Sequence, residues 1–97
     1  MRFEIVLSPE AIEDLQDLRA NERARVRDAI ERHLRHEPRK ESRSRIKKLK
    51  GLRRPEYRLR VGDIRVFYDV IDSTVSILAV VSKEGAKKWL ERAAKRE

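Results

Sequence analysis

The chain has 97 residues, of which 39% are hydrophobic and 43% are charged, and its formal net charge is +8. This length predicts a single domain over residues 1–97, with a small core. The absence of cysteine excludes disulfides and thiolate metal sites, and no stretch approaches the roughly 20 apolar residues of a membrane span. We therefore expect a soluble, cytoplasmic protein without a membrane partner.

The first half of the chain predicts one strand and two helices. Residues 2–7 alternate apolar and polar side chains, as in a β-strand. A helix is expected directly afterwards, because Ser8 is a favoured N-cap residue and Pro9 fits the first helical position. Asn21 is interpreted as the N-cap of a second helix, which pairs with the first in an αα-hairpin. The charged residues 37–47 are expected to form a loop.

From residue 57 the period of the sequence changes to two, which is typical of strands. Residues 57–61 and 64–70 alternate, and the Gly-Asp pair at 62–63 between them is a strong signal for a hairpin turn. Residues 75–81 are apolar on both faces and predict an internal strand.

A last helix follows, for which Ser82 is a suitable cap and in which Trp89 lies on the apolar stripe. The element order is then β-α-α-β-β-β-α. This order predicts an α+β fold in which the αα-hairpin covers one face of an antiparallel meander, with an N-terminal strand and a C-terminal helix.

The positive charge is concentrated in residues 39–60. This segment holds 11 Lys and Arg against two acidic residues, Glu41 and Glu56, so that its net charge is +9 while the remainder of the chain nets −1. Such a concentration favours a polyanionic ligand, and nucleic acid above all. The alternative is a solvated basic loop without a ligand.

The predicted hairpin brings several arginines together. With a turn at residues 62–63, Arg60 lies opposite Arg65, and Arg58 shares their face. Like charges directly opposite each other cost roughly 0.2–1 kcal/mol, so this pattern indicates an external anion such as phosphate. The alternative is that the long side chains splay apart and are neutralised by Glu56 or Asp69. In this orientation Arg65→Ala is expected to leave the stability unchanged or slightly higher, within about 0.5–1 kcal/mol, because it relieves the repulsion with Arg60.

Other candidates for chemistry carry less information. His33 and His36 are explained by packing and by the dipole at a helix C terminus, and Trp89 by packing or by contact with a partner. The sequence has no Gly-rich phosphate loop, Ser-His-Asp set or metal-ligand spacing. If this face is an active site, RNA is the substrate whose cleavage needs the fewest catalytic groups, because its 2′-hydroxyl is a built-in nucleophile. Arginines can then stabilise charge on the phosphate, and a lysine close to other cations can transfer protons.

Three motifs resemble the RelE/ParE superfamily of bacterial type II toxins. They are K-L-K-G at 48–51, Y-R-L-R at 57–60 and I-R-V-F-Y-D-V at 64–70, followed by an apolar strand and a C-terminal helix. The resemblance spans essentially the whole chain and implies a RelE-like fold. Some members of this superfamily cleave mRNA in the ribosomal A site, and others inhibit DNA gyrase.

The resemblance to RelE-like ribonucleases implies catalytic roles for Arg58, Arg60, Arg65 and Lys83. Other basic residues around the K-L-K-G motif are then expected to bind RNA, namely Lys47, Lys48, Lys50, Arg53 and Arg54. The C-terminal tyrosine of RelE and the histidine–tyrosine end of YoeB have no equivalent here, because Trp89 occupies that neighbourhood. Proton transfer is therefore not assigned to any residue.

The implied function is that of a ribosome-dependent mRNA endoribonuclease that inhibits translation without a cofactor or metal. The alternatives are a ParE-like toxin that inhibits gyrase and a non-catalytic RNA-binding module. The implied partners are a cognate antitoxin, the ribosomal A site with its mRNA, and operator DNA through the antitoxin complex. We expect Trp89 and Leu90 to be exposed for the antitoxin.

Overall fold

The computed structural model describes residues 1–95 and has the predicted α+β fold. The strands are β1 (Glu4–Leu7), β2 (Ile46–Lys48), β3 (Tyr57–Val61), β4 (Ile64–Ile71) and β5 (Thr74–Ser82), and the helices are α1 (Pro9–Gln16), α2 (Ala20–Leu34) and α3 (Lys83–Lys95). The strands form one sheet in the order β1-β5-β4-β3-β2. β1 runs parallel to β5, β3 to β5 form the predicted antiparallel meander, and β2 extends it as an additional antiparallel strand beside β3.

The main hydrophobic core lies between the α1–α2 hairpin and one face of the sheet. Because side chains alternate along a strand, Leu59, Val66 and Tyr68 all point to this face, and all three are fully buried. The hairpin contributes Leu15 from α1 and Val26 from α2. The predicted placement of the two helices on one sheet face is therefore confirmed.

The opposite face of the sheet is covered in part by α3. Phe67 and Ala79 on this face are completely buried, and Trp89 of α3 packs against them with only 7% of its surface exposed. The expectation that Trp89 is exposed for a partner is therefore wrong, because its indole ring is part of this second apolar cluster. Leu90 is half-buried beside it.

The joint between α1 and α2 differs from the prediction. α2 begins at Ala20, so that Asn21 lies inside the helix, and the N-cap residue Arg19 makes no side-chain capping bond. The guanidinium of Arg23 closes the joint instead, because it donates to three carbonyl oxygens, two in the last turn of α1 and one in the joint itself. They belong to Leu15 (3.0 Å), Gln16 (3.3 Å) and Leu18 (2.9 Å). The other predicted cap is confirmed, since Ser8 Oγ accepts from the backbone N–H of Ala11 at 3.1 Å.

The charged segment at 37–47 is not entirely a loop, because its end forms β2. Ile46 pairs with Leu59 and is only 4% exposed, which explains why this short strand docks. The loop before it is fixed by the Tyr68 hydroxyl, which donates to the carbonyl oxygen of Pro38 at 2.7 Å. Within residues 1–95, no helix is both long enough and apolar enough to cross a membrane.

Candidate active site

A groove of about 520 Å³ lies between α3 and the sheet face that α3 partly covers. Among the described residues, five cationic side chains from four elements line it, namely Lys47 (β2), Arg58 (β3), Arg65 (β4), and Lys83 and Lys87 (α3). Its other walls are mainly apolar, formed by Leu49, Leu52, Phe67, Ala86, Leu90 and Ala94. We call this feature the basic groove.

The predicted hairpin register is confirmed and explains how the arginines come together. Arg60 pairs with Arg65 across β3 and β4, and Val61 pairs with Ile64. Arg58 is two residues from Arg60 on the same strand face and pairs with Lys47 on the other side. Arg58 and Arg65 line the basic groove, whereas Arg60 is exposed and lies outside its lining.

Arg58 is the clearest sign of an anion site. Its Nε atom is buried and has no hydrogen-bond partner in the described part of the chain. Burial, together with the charges of Arg65 and Arg60, lowers the pKa of Arg58. An arginine keeps its proton even so. A phosphate in the basic groove would give this guanidinium the partner that it lacks and would offset the repulsion.

Arg65 is held more firmly than the sequence predicts. Only 9% of it is exposed, and its Nη1 donates to the carbonyl oxygens of Gly62 at 2.8 Å and Ile64 at 3.2 Å. These bonds fix the guanidinium at the hairpin turn, in the lining of the basic groove. Removal of Arg65 is therefore expected to cost stability, in contrast to the expectation from the sequence.

Of the five predicted RNA-binding residues, only Lys47 lines the basic groove. Lys48, Lys50 and Arg53 are exposed outside it. Arg54 lies in a different groove, between α1 and α3, and its Nε donates to Asp69 Oδ2 at 2.7 Å. The Asp69 side chain is only 3% exposed, so this ion pair fixes the segment before β3.

The sequence reasoning missed two polar residues of the basic groove. Lys87 and Glu91 line it together with Lys83, and within residues 1–95 Glu91 supplies the only carboxylate of that lining. A helical signal was available, because residues 83, 87 and 91 are four apart and share one helix face. Among residues 1–95, no group of three or more His, Cys, Asp or Glu is placed to hold a metal ion.

The amino-acid sequence matches one family model over most of its length. The model describes the ParE toxin of type II toxin-antitoxin systems (parDE), and it matches residues 5–87. The chain belongs to this family. No protein of curated function matches the toxin in sequence.

Solved structures extend the similarity to RelE proteins. A mutant of the E. coli toxin RelE in the free state is 25% identical, with a TM-score of 0.74, and the match covers 99% of this chain and 98% of that one. The RelBE2 toxin-antitoxin complex from Mycobacterium tuberculosis is 26% identical, with a TM-score of 0.67 and coverage of 84% and 99%. The RelE-RelB complex from Pyrococcus horikoshii OT3 is 28% identical, with a TM-score of 0.64 and coverage of 86% and 97%. The predicted RelE/ParE membership is thus confirmed.

Proposed function

We propose that this toxin is a ribosome-dependent mRNA endoribonuclease that inhibits translation. The observation that carries the proposal is the buried, unpartnered Nε of Arg58 in a groove that also holds Arg65 and Lys83. Such a group is costly unless a ligand binds it, and a phosphate oxygen is the ligand that a guanidinium fits best. The similarity to E. coli RelE spans 99% of the chain and therefore includes the helix that forms the groove wall.

The proposed reaction uses the RNA's own nucleophile. The 2′-hydroxyl attacks the adjacent phosphorus, the bond from phosphorus to the 5′ oxygen breaks, and the products are a 2′,3′-cyclic phosphate and a 5′-hydroxyl. Charge that develops on the phosphate oxygens is stabilised by Arg58 and by the fixed guanidinium of Arg65.

Two proton transfers complete this reaction, one from the 2′-hydroxyl and one to the leaving 5′ oxygen. The lysines and the carboxylate of the groove lining are the candidates for these transfers: Lys83, Lys87 and Glu91 lie on α3, and Lys47 lies on β2. A carboxylate suits the acceptance of the first proton, and an ammonium suits the donation of the second. Arg60, which lies outside the groove lining, would bind the RNA backbone rather than the reacting phosphate.

Gyrase inhibition is the second candidate function. It is favoured by the family model, which describes ParE toxins and matches residues 5–87. Such an activity needs a protein-binding surface and no proton transfer. A third reading, a non-catalytic RNA-binding module, would use the same groove without the chemistry.

We also propose a cognate antitoxin as a partner, since similar structures are toxin-antitoxin complexes. The basic groove combines apolar walls with cations, which suits an acidic amphipathic segment. Operator DNA would be bound through that complex. The test is to express the toxin alone and together with the product of the adjacent small open reading frame. If growth inhibition, yield and monomeric state are the same in both cases, the proposed partner is wrong.

The decisive experiment adds purified toxin to translating ribosomes and maps mRNA 5′ ends by toeprinting, with a gyrase supercoiling assay in parallel. We expect cleavage in the A site by the wild type and a strong loss with Arg58→Met. Loss of one fixed donor to a transition-state oxyanion typically costs on the order of 10²–10³ in rate. Growth arrest and gyrase inhibition without mRNA cleavage would replace the ribonuclease by the ParE-like function. RNA binding without cleavage or gyrase inhibition would indicate the non-catalytic module.

A further inference from the structure

A second basic cavity, of about 270 Å³, lies at the other side of the β2 edge, where α2 ends. Side chains from the end of α2 and from the loop before β2 line it, namely Arg32, His33, His36, Glu37, Lys40, Ser42, Arg45 and Ile46. We call it the α2-end cluster. None of its residues belongs to the basic groove.

The positive charge of the α2-end cluster is poorly neutralised. Arg32 contacts Asp28 at 3.1 Å, and Lys40 contacts Glu37 at 3.7 Å. The side chains of both pairs are at least 66% exposed, so these ion pairs contribute little.

Arg45 carries the least compensated charge of the α2-end cluster. Its guanidinium has no hydrogen bond or ion pair within residues 1–95, and its charge acts on His33. Burial first, and then the charges of Arg45 and Arg32, lower the pKa of His33. A further positive charge, such as protonated His33, is therefore disfavoured in the α2-end cluster, whereas binding of an anion is favoured.

The two basic sites are continuous along β2. The backbone N–H of Arg60 donates to the carbonyl oxygen of Arg45 at 2.9 Å, so these two residues are neighbours across the strands. Lys47, which lines the basic groove, is two residues further along and pairs with Arg58. Two residues of a strand span about 6.6–6.8 Å. The basic side chains of Arg58, Lys47 and Arg45 therefore form a continuous row from the basic groove to the α2-end cluster.

We propose that the α2-end cluster is a second phosphate-binding site, which holds an RNA strand that leaves the basic groove across the β2 edge. The occupant follows from the lining, in which Ile46 is the one apolar side chain and is 4% exposed. A protein segment would find no apolar surface to bury, whereas an RNA backbone needs only charge. The proposal rests on the proposed function in that the same strand occupies the basic groove.

The test compares two double variants of the full chain. Lys40→Ala with Arg45→Ala removes one lysine and one arginine from the α2-end cluster. Arg27→Ala with Lys88→Ala removes the same charge from exposed positions outside both sites. The probes are 2′-O-methyl RNA strands of about 16 and about four nucleotides, which lack the nucleophile and remain uncleaved. Affinities are measured by fluorescence anisotropy over a range of salt concentrations.

For the long probe, we expect the cluster variant to reduce the slope of log K against log salt by about 1.4, since each phosphate contact on single strands contributes about 0.7. The slope of the control variant should match that of the wild type. Binding of the short probe should be unaffected by either double variant and lost in Arg58→Met. An equal slope in the cluster and control variants, with unchanged melting temperatures, would overturn the second site.

Two further outcomes separate the alternatives. If an oligoglutamate peptide binds as tightly as the long probe and is weakened by the same cluster variant, the α2-end cluster is an interface for an acidic protein, and the RNA assignment is wrong. In the second outcome, the short probe binds the wild type no more tightly than Arg58→Met, while the affinity of the long probe is still reduced in the cluster variant. This result would contradict RNA binding in the basic groove and would support the second phosphate site.

Discussion

The indole ring of Trp89 stacks on the phenyl ring of Phe67, with centroids 4.9 Å apart and planes inclined by 3°. The Nε1–H of Trp89 also donates to Glu10 Oε1 at 3.2 Å, which links α3 to α1. Trp89 is the one buried residue of α3. Trp89 is therefore the main anchor of the helix that supplies Lys83 and Lys87 to the basic groove, and the partly buried Ala86, Leu90 and Ala93 pack beside it.

Replacing Trp89 should detach α3 from the sheet. Trp89→Ala is expected to lower the free energy of unfolding by about 3–5 kcal/mol, because it removes a buried aromatic ring. Trp89→Phe keeps a ring over Phe67 but loses the bond to Glu10, at about 0.5–1.5 kcal/mol, and also leaves a small cavity where the indole was larger, so its total cost should lie between that bond and the cost of Trp89→Ala. Chemical denaturation gives both values. If Trp89→Ala is no less stable than Trp89→Phe, the stack does not hold α3.

The sequence was sufficient for the features that depend on local chemistry and strand alternation. The turn at residues 62–63 was predictable because glycine accepts the positive φ of 58° that Gly62 adopts. Once that turn was known, alternation placed Arg60 opposite Arg65 and Arg58 on their face. The groove as a whole was harder to predict, because its second wall comes from α3.

The features that were missed depend on tertiary contacts. Nothing local distinguishes Arg23, which closes the α1–α2 joint, from the other arginines of α2. Arg54 looked like one more cation of a basic run, and only the fold brings it to Asp69. The strand β2 has a single buried residue, Ile46, and so produces almost no periodic signal.

Arg58→Met should reduce RNA binding without reducing stability. It removes a buried, unpartnered nitrogen and the repulsion with Arg65 and Arg60, but it keeps the aliphatic contacts. We expect a free energy of unfolding that is equal to that of the wild type or up to about 1 kcal/mol higher. Arg60→Met is the matched control, since Arg60 is exposed on the same strand. A clear loss of stability in Arg58→Met alone would mean that Arg58 has a structural role.

Arg65→Ala should be destabilising, by about 1–3 kcal/mol, because it deprives the Gly62 and Ile64 carbonyl oxygens of a charged donor. Arg65→Lys should recover only part of the stability and activity, since an ammonium lacks the planar guanidinium fork. Melting temperature and cleavage are to be measured on the same preparations. An Arg65→Ala variant that melts like the wild type would show that these bonds contribute nothing.

Arg54→Ala should lower stability far more than Arg53→Ala. Asp69 accepts from the Arg54 guanidinium at 2.7 Å and from the Glu56 backbone N–H at 2.8 Å, and its side chain is 3% exposed. Without Arg54 this carboxylate loses its ion-pair partner, at a cost of about 1–3 kcal/mol. Arg53 is the neighbouring exposed control. If Arg54→Ala and Arg53→Ala are equally stable and lose RNA affinity to the same extent, Arg54 is an RNA-binding residue as the sequence predicts, and its structural role is contradicted.

The stability of the toxin should depend on pH through Asp14. Burial raises the pKa of Asp14, and the charges of Glu10, Asp17 and Glu13 add to this effect. The backbone N–H of Val80, which donates to Asp14 Oδ2 at 2.9 Å, lowers the pKa, but the net result is a raised pKa. The folded state therefore binds more protons than the unfolded state between the two pKa values, so that stability falls as the pH rises through that interval.

Asp14→Asn should test this directly, because the amide oxygen can still accept from Val80 without carrying a charge. We expect it to be more stable than the wild type near pH 7, with the difference disappearing as the pH falls below the unfolded pKa of about 3.9. Glu4→Gln removes the same charge from an exposed position that is not among the charges acting on Asp14, and it serves as the control. Asp14→Ala, which loses the acceptor, should be less stable at every pH. A constant gap between Asp14→Asn and the wild type from acid to neutral pH would contradict the raised pKa.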